Sequence, residues 1–122
     1  MRLIVVLALL VAAFPSTAFA KGRVVDCRIS APDGTQVQFQ GRCKFVPEPG
    51  GSFSLSDANG KAKFYSTISI VSVYLTGKDT AEVSGLVLDP GGGGHNSRWG
   101  EAKRSTKDRA CWDGSDFQIC AW

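Results

Sequence analysis

Alternation of apolar and polar residues with period two constrains this chain more than any other feature. Val37, Phe39, Gly41, Cys43 and Phe45 are separated by Gln36, Gln38, Gln40, Arg42 and Lys44. Successive side chains of a strand point to opposite faces, so this segment reads as a half-buried antiparallel strand. Further strand candidates are residues 23–29, 52–56, 62–65, 67–75, 80–88, 109–112 and 117–121. No segment shows a sustained apolar helical period, and helix is expected only as one turn near residues 100–105. The segment 67–75, TISIVSVYL, is β-branched or aromatic on both faces and suits a central strand covered from two sides. Turn signals punctuate these runs: Pro47-Glu48-Pro49-Gly50-Gly51, Ala58-Asn59-Gly60, Thr76-Gly77-Lys78-Asp79, and Asp89-Pro90 followed by four glycines. The expected architecture is all-β, a small antiparallel β-sandwich or partly closed barrel of about seven or eight short strands.

Residues 1–20 read as a secretory signal peptide. Arg2 supplies the positive start, residues 3–14 the apolar core, Pro15 a break, and Ala18-Phe19-Ala20 the cleavage site. The mature chain is then a single domain, residues 21–122, of 102 residues, with one core to explain. Lys21 in place of Cys argues against lipoprotein anchoring, and nothing downstream approaches the roughly 18 to 20 apolar residues of a spanning helix. The expectation is a periplasmic or secreted protein with no membrane anchor after cleavage. Losing Arg2 leaves 13 Lys and Arg against 11 Asp and Glu, a charge of +2 that is too mild to imply nucleic acid.

All four cysteines, Cys27, Cys43, Cys111 and Cys120, lie in the mature chain. An even count in a small exported domain implies two disulfides. Three connectivities are possible, and the favoured one is Cys27 with Cys43 and Cys111 with Cys120, each pair flanking an Asp-Gly turn signal and stapling its own hairpin. Without a Cys-x-x-Cys pair, zinc is not expected, nor any other metal or cofactor.

Chemistry concentrates in residues 91–100, GGGGHNSRWG, and in the basic stretch that follows. The glycines lack the Lys-Ser/Thr ending and following helix of a phosphate loop. The segment reads either as a mobile surface hairpin or as a projecting recognition loop held by a rigid sheet. Candidate partner-binding residues are His95, Asn96, Ser97, Arg98, Trp99, Lys103 and Arg104. As a catalytic base, His95 would need a nucleophile and an orienting acid, and Ser97 follows no nucleophile-elbow pattern. Asp113 and Asp116 could be a glycosidase pair, but both sit at a turn where Asp has a structural reason to be. No catalytic residue is assigned, and Trp112 is expected to be core.

The ending Arg109-Ala110-Cys111-Trp112 and Ile119-Cys120-Ala121, with Gly41-Arg42-Cys43 and Gly51-Ser52-Phe53, resembles a largely uncharacterised group of small exported Gram-negative proteins. That likeness covers most of the mature chain and implies export and disulfides without an activity. A looser resemblance is to the periplasmic inhibitors of c-type lysozyme, with Trp99-Gly100-Glu101-Ala102 echoing the family's Trp-x-Lys-Gly. It implies a β-rich fold and a polar or basic loop, here His95 to Arg98 backed by Lys103 and Arg104, entering the acidic cleft of a peptidoglycan hydrolase or lysozyme. Independently, a glycosidase needs two carboxyl groups, and a cationic hydrogen-bonding loop complements them. Three readings follow: a non-enzymatic inhibitor or regulator of a peptidoglycan-cleaving enzyme, a binding module for an anionic or cell-wall glycan component, and a small hydrolase.

Overall fold

The computed structural model describes residues 22–122; the signal-peptide assignment lies outside them. Eight strands form a closed antiparallel barrel in chain order, each paired with the next and the last with the first. They are β1 (Arg23–Ser30), β2 (Phe39–Pro47), β3 (Phe53–Asp57), β4 (Ile68–Leu75), β5 (Thr80–Leu88), β6 (Gly94–Arg104), β7 (Cys111–Gly114) and β8 (Gln118–Ala121). The all-β expectation with seven or eight strands holds, and closure resolves sandwich against barrel. Pairing of Cys27 through Ser30 with Ala121 back to Gln118 removes both sheet edges that an open meander would expose.

Alternate residues fill the interior, as a barrel of about eight strands has room for side chains and little else. Val25, Cys27, Ile29, Cys43, Leu55, Val71, Val73, Val83, Trp112 and Ile119 are all buried. Aromatic rings stop both ends. At the upper end Phe39 packs on Phe64 with centroids 4.5 Å apart, and Phe64 meets Tyr65 edge-on at 5.2 Å. At the lower end Phe45 stacks on Phe53 at 4.9 Å, while the guanidinium of Arg104 lies 4.3 Å from the Trp112 ring centre.

Both disulfides pair as expected within their own hairpins, but they face opposite sides of the wall. Cys27–Cys43 joins β1 to β2 inside the barrel and belongs to its core. Cys111–Cys120 joins register partners on the outer face. It is nonetheless buried, beneath Arg28 and the connection from Ser105 to Ala110. Arg28 Nη2 donates to Gln118 Oε1 at 2.9 Å, and Gln118 Nε2 donates to Asp113 Oδ1 at 2.7 Å. Trp122 Nε1 donates to Asp108 Oδ2 at 2.9 Å, tying the chain end to the same connection.

Four expectations need correction. Residues 62–65 form no strand, only an isolated bridge from Tyr65 to Ile68. Residues 100–105 hold no helical turn; the short 3-10 turns are Pro32–Gly34 and Pro49–Gly51, where Pro sets the first φ. The segment 67–75 is not covered on both faces, since a closed wall has one inner and one outer face, and Tyr74 is 65% exposed. The largest revision concerns residues 91–100, which belong to a surface hairpin, one of the two alternatives, and not to a projecting loop. Only the Asp89 to Gly93 connection turns, and from Gly94 the chain forms the longest strand of the barrel.

Two tests follow from this packing. Leu55 is fully buried, so Leu55→Ala should lower unfolding free energy by about 2–5 kcal/mol in urea denaturation. The Asp108 carboxyl is held below the usual range, chiefly by the Trp122 indole N–H and then by the Ala110 backbone N–H. A depressed native pKa stabilises the fold above the unfolded carboxylate value and is lost as pH falls through the native one. Trp122→Phe should therefore return the Asp108 titration toward normal, read by carboxyl carbon NMR. Its stability deficit should be present at neutral pH and vanish in acid.

Candidate functional site

The barrel wall is uneven because β7 and β8 have four residues each against eleven in β6. β5 pairs with β6 along its whole length, from Thr80–Lys103 to Leu88–Gly94. β7 reaches only Ala102, Lys103 and Arg104. Above the Gly114 to Phe117 turn a notch is left between β6 and the end of β1. It is a cavity of about 320 Å³ lined by Ile29, Ser30, Gln38, Ser97, Arg98, Trp99, Asp116 and Phe117.

A bulge in β6 builds this notch. Val83 pairs with Gly100, but Ser84 pairs with Arg98, so Trp99 is an extra residue with no partner on β5. The bulge sends Arg98 to the outer face, beside Glu82, and lets Trp99 lie over Gly85. Trp99 then meets Phe117 edge-to-face with centroids 5.6 Å apart. Two glycines make room for this pair. A Cβ on Gly85 would lie 3.0 Å from Trp99 Nε1, and one on Gly114 would collide with the Phe117 ring.

The structure brings together some of the residues singled out in the sequence and separates others. Ser97, Arg98 and Trp99 line the notch. His95 and Asn96 are exposed just above, at the end of the β5–β6 hairpin. Lys103 is exposed on the outer face near the other end, with no ion pair among the described residues. Arg104 does not join the site: it closes the lower end against Trp112, donating from Nε to Asp79 Oδ1 at 3.2 Å and from Nη1 to the Arg109 carbonyl at 3.0 Å.

Carboxylates from β5 and its turns lie against three of these four basic side chains. His95 Nδ1 lies 2.8 Å from Asp89 Oδ1, Arg98 grips Glu82 through Nε and Nη2 at 3.2 and 3.0 Å, and Arg104 binds Asp79. Glu82 holds the Arg98 guanidinium firmly in its charged form. The Asp89–His95 pair supplies the acid a triad would need, yet among the described residues no hydroxyl hydrogen-bonds the imidazole. Asp113 and Asp116 do not act as a pair, since Asp113 faces the cavity over the outer disulfide and Asp116 the notch.

Sequence reasoning missed Ile29, Ser30, Gln38 and Phe117, and weighed Asp116 only as a turn residue or half of a glycosidase pair. Barrel closure places them opposite β6, and no local pattern encodes that. A signal for Trp99 was present in Gly85, an unexplained glycine in the middle of a strand. No protein family, curated protein or solved structure matches the chain.

Gly85→Ala should displace Trp99 and cost about 1–3 kcal/mol through overpacking. The Trp99 indole N–H resonance should move while that of Trp112 stays, which NMR of the indole region checks.

Proposed function

We propose that this protein is a non-enzymatic, exported binding protein that inhibits or regulates a peptidoglycan-cleaving enzyme of lysozyme or lytic transglycosylase type. The end of the β5–β6 hairpin is the part presented to the enzyme's acidic cleft. One observation carries the reading: the Arg98 side chain, 77% exposed, stands on a strand that β5 pairs along its whole length, with its guanidinium already gripping a carboxylate. Its planar fork suits such groups, and exposed ion pairs contribute only about 0–1 kcal/mol, so exchange of Glu82 for a catalytic carboxylate of a muramidase costs little. Asn96 and Ser97 add hydrogen-bonding groups beside it, and His95 with the Asp89 to Gly93 turn forms the tip. Rigidity helps, because a strand pays less ordering entropy on binding than the mobile loop the glycines suggested.

A cell-wall glycan is the second reading, favoured by the notch itself, which Trp99 lines together with the polar Ser30, Gln38 and Asp116. The two readings part in one experiment. Oxidised protein and its Arg98→Ala variant are added to a muramidase assay on purified cell walls, with capture from periplasmic extract in parallel. Inhibition by the parent, weakened more than about tenfold in the variant at unchanged thermal stability, is the expected result. Binding to walls alone, equal in both proteins and without inhibition, would move the assignment to the glycan.

A further inference from the structure

Backbone groups along β6 define a second recognition feature. The Asp89 N–H donates to the Gly93 carbonyl, and that register continues through Val87–His95 and Gly85–Ser97. Since antiparallel partners alternate between bonded and non-bonded pairs, the backbone groups of Asn96 and Arg98 face away from β5. Below the bulge the Arg104 N–H donates to the Asp79 carbonyl, which turns those of Glu101 outward in the same way. Among the described residues Asn96 and Arg98 have no strand partner on that side, and the Ala102–Gly114 pair sets Glu101 beside Ser115 at the lower limit of the edge. A strand edge about six residues long therefore borders a cavity of about 320 Å³.

We infer that this notch takes the free N-terminus of an extended peptide, which adds to β6 as an antiparallel strand and continues the line of β7. Direction follows from the topology. β7 runs upward toward the notch and stops at Gly114, so an added antiparallel strand must begin at the β7–β8 turn. Its path is blocked below and open above. That starting point is where Asp116 stands, exposed, lining the notch and with no hydrogen-bond or ion-pair partner among the described residues. An α-ammonium is complementary to this carboxylate, whereas a parallel strand would bring a C-terminal carboxylate against it. Alternate side chains of the added strand would rest on Trp99 and Phe117, so the peptide is apolar at alternate positions. A second copy of this chain does not fit, because its own β6 continues past the point where β7 blocks the way. The inference concerns the notch and stands whether or not a muramidase is the hairpin's target.

The test uses the oxidised protein and a synthetic six-residue peptide of alternating Val and Thr, amidated at its C-terminus, with a free or an acetylated N-terminus. Amide NMR is followed during titration, with hydrogen exchange at the end point. The free-amine peptide should shift and protect the amides of Asn96 and Arg98, and acetylation or Asp116→Asn should each weaken it about tenfold. Asn96→Pro removes an outward donor without breaking a bond to β5, and should abolish protection while leaving the remaining spectrum in place. Equal affinity of the acetylated peptide would overturn the assignment of the amine. Shifts confined to other strands, or none at millimolar peptide, would overturn strand addition at β6.

Discussion

Antiparallel pairing of β8 with β1 is the interaction on which the remaining structure depends. Without it the meander is an open sheet of eight strands with two unpaired edges and one apolar face. With it, Val25, Leu55, Val73, Val83 and Ile119 face a common interior, and the aromatic stoppers at either end acquire partners from distant parts of the chain. The disulfides reinforce neighbours rather than the closure itself, since each bridges two consecutive strands. Closure relies on hydrogen bonds of four residues of β8 and on the packing of Ile29, Trp112 and Ile119 behind them.

Economy of length at that seam produces the site. A β7–β8 hairpin of four residues per strand completes the lower half of the wall and leaves the upper half of β6 without a neighbour. The bulge at Arg98 and Trp99 then assigns opposite tasks to adjacent residues: one seals the opening from within, against Phe117, and the other stands outside with its guanidinium oriented by Glu82. Gly85 and Gly114 are the small residues that make this division possible. The candidate site thus sits on a paired strand and its edge rather than on a loop.

Much of the strand pattern was legible in the chain, because period-two alternation and turn residues act locally. Residues 80–88 were bounded correctly, and the cysteine pairs followed from hairpin spacing. The segment 94–104 was not read as a strand because its glycines and polar residues carry neither alternation nor β-propensity; its pairing with β5 supplies the order that its own sequence does not. The basic stretch is broken up by the fold for a related reason. His95, Arg98 and Arg104 look like a basic cluster only along the chain, and the fold sets Asp89, Glu82 and Asp79 against them from the adjoining strand and its turns.

By itself, then, the sequence determined an all-β domain and most of its hairpins and favoured its disulfide partners, features governed by residues close to one another in the chain. Only the tertiary structure decided that the sheet closes, that Arg104 packs on Trp112 at the lower end while Arg98 stands outside against Glu82, and that Ile29, Gln38 and Asp116 meet Ser97 and Trp99 across a notch. These are consequences of register and strand length summed around a ring. One residue of bulge or a longer β7 would reassign them without altering any local signal in the chain.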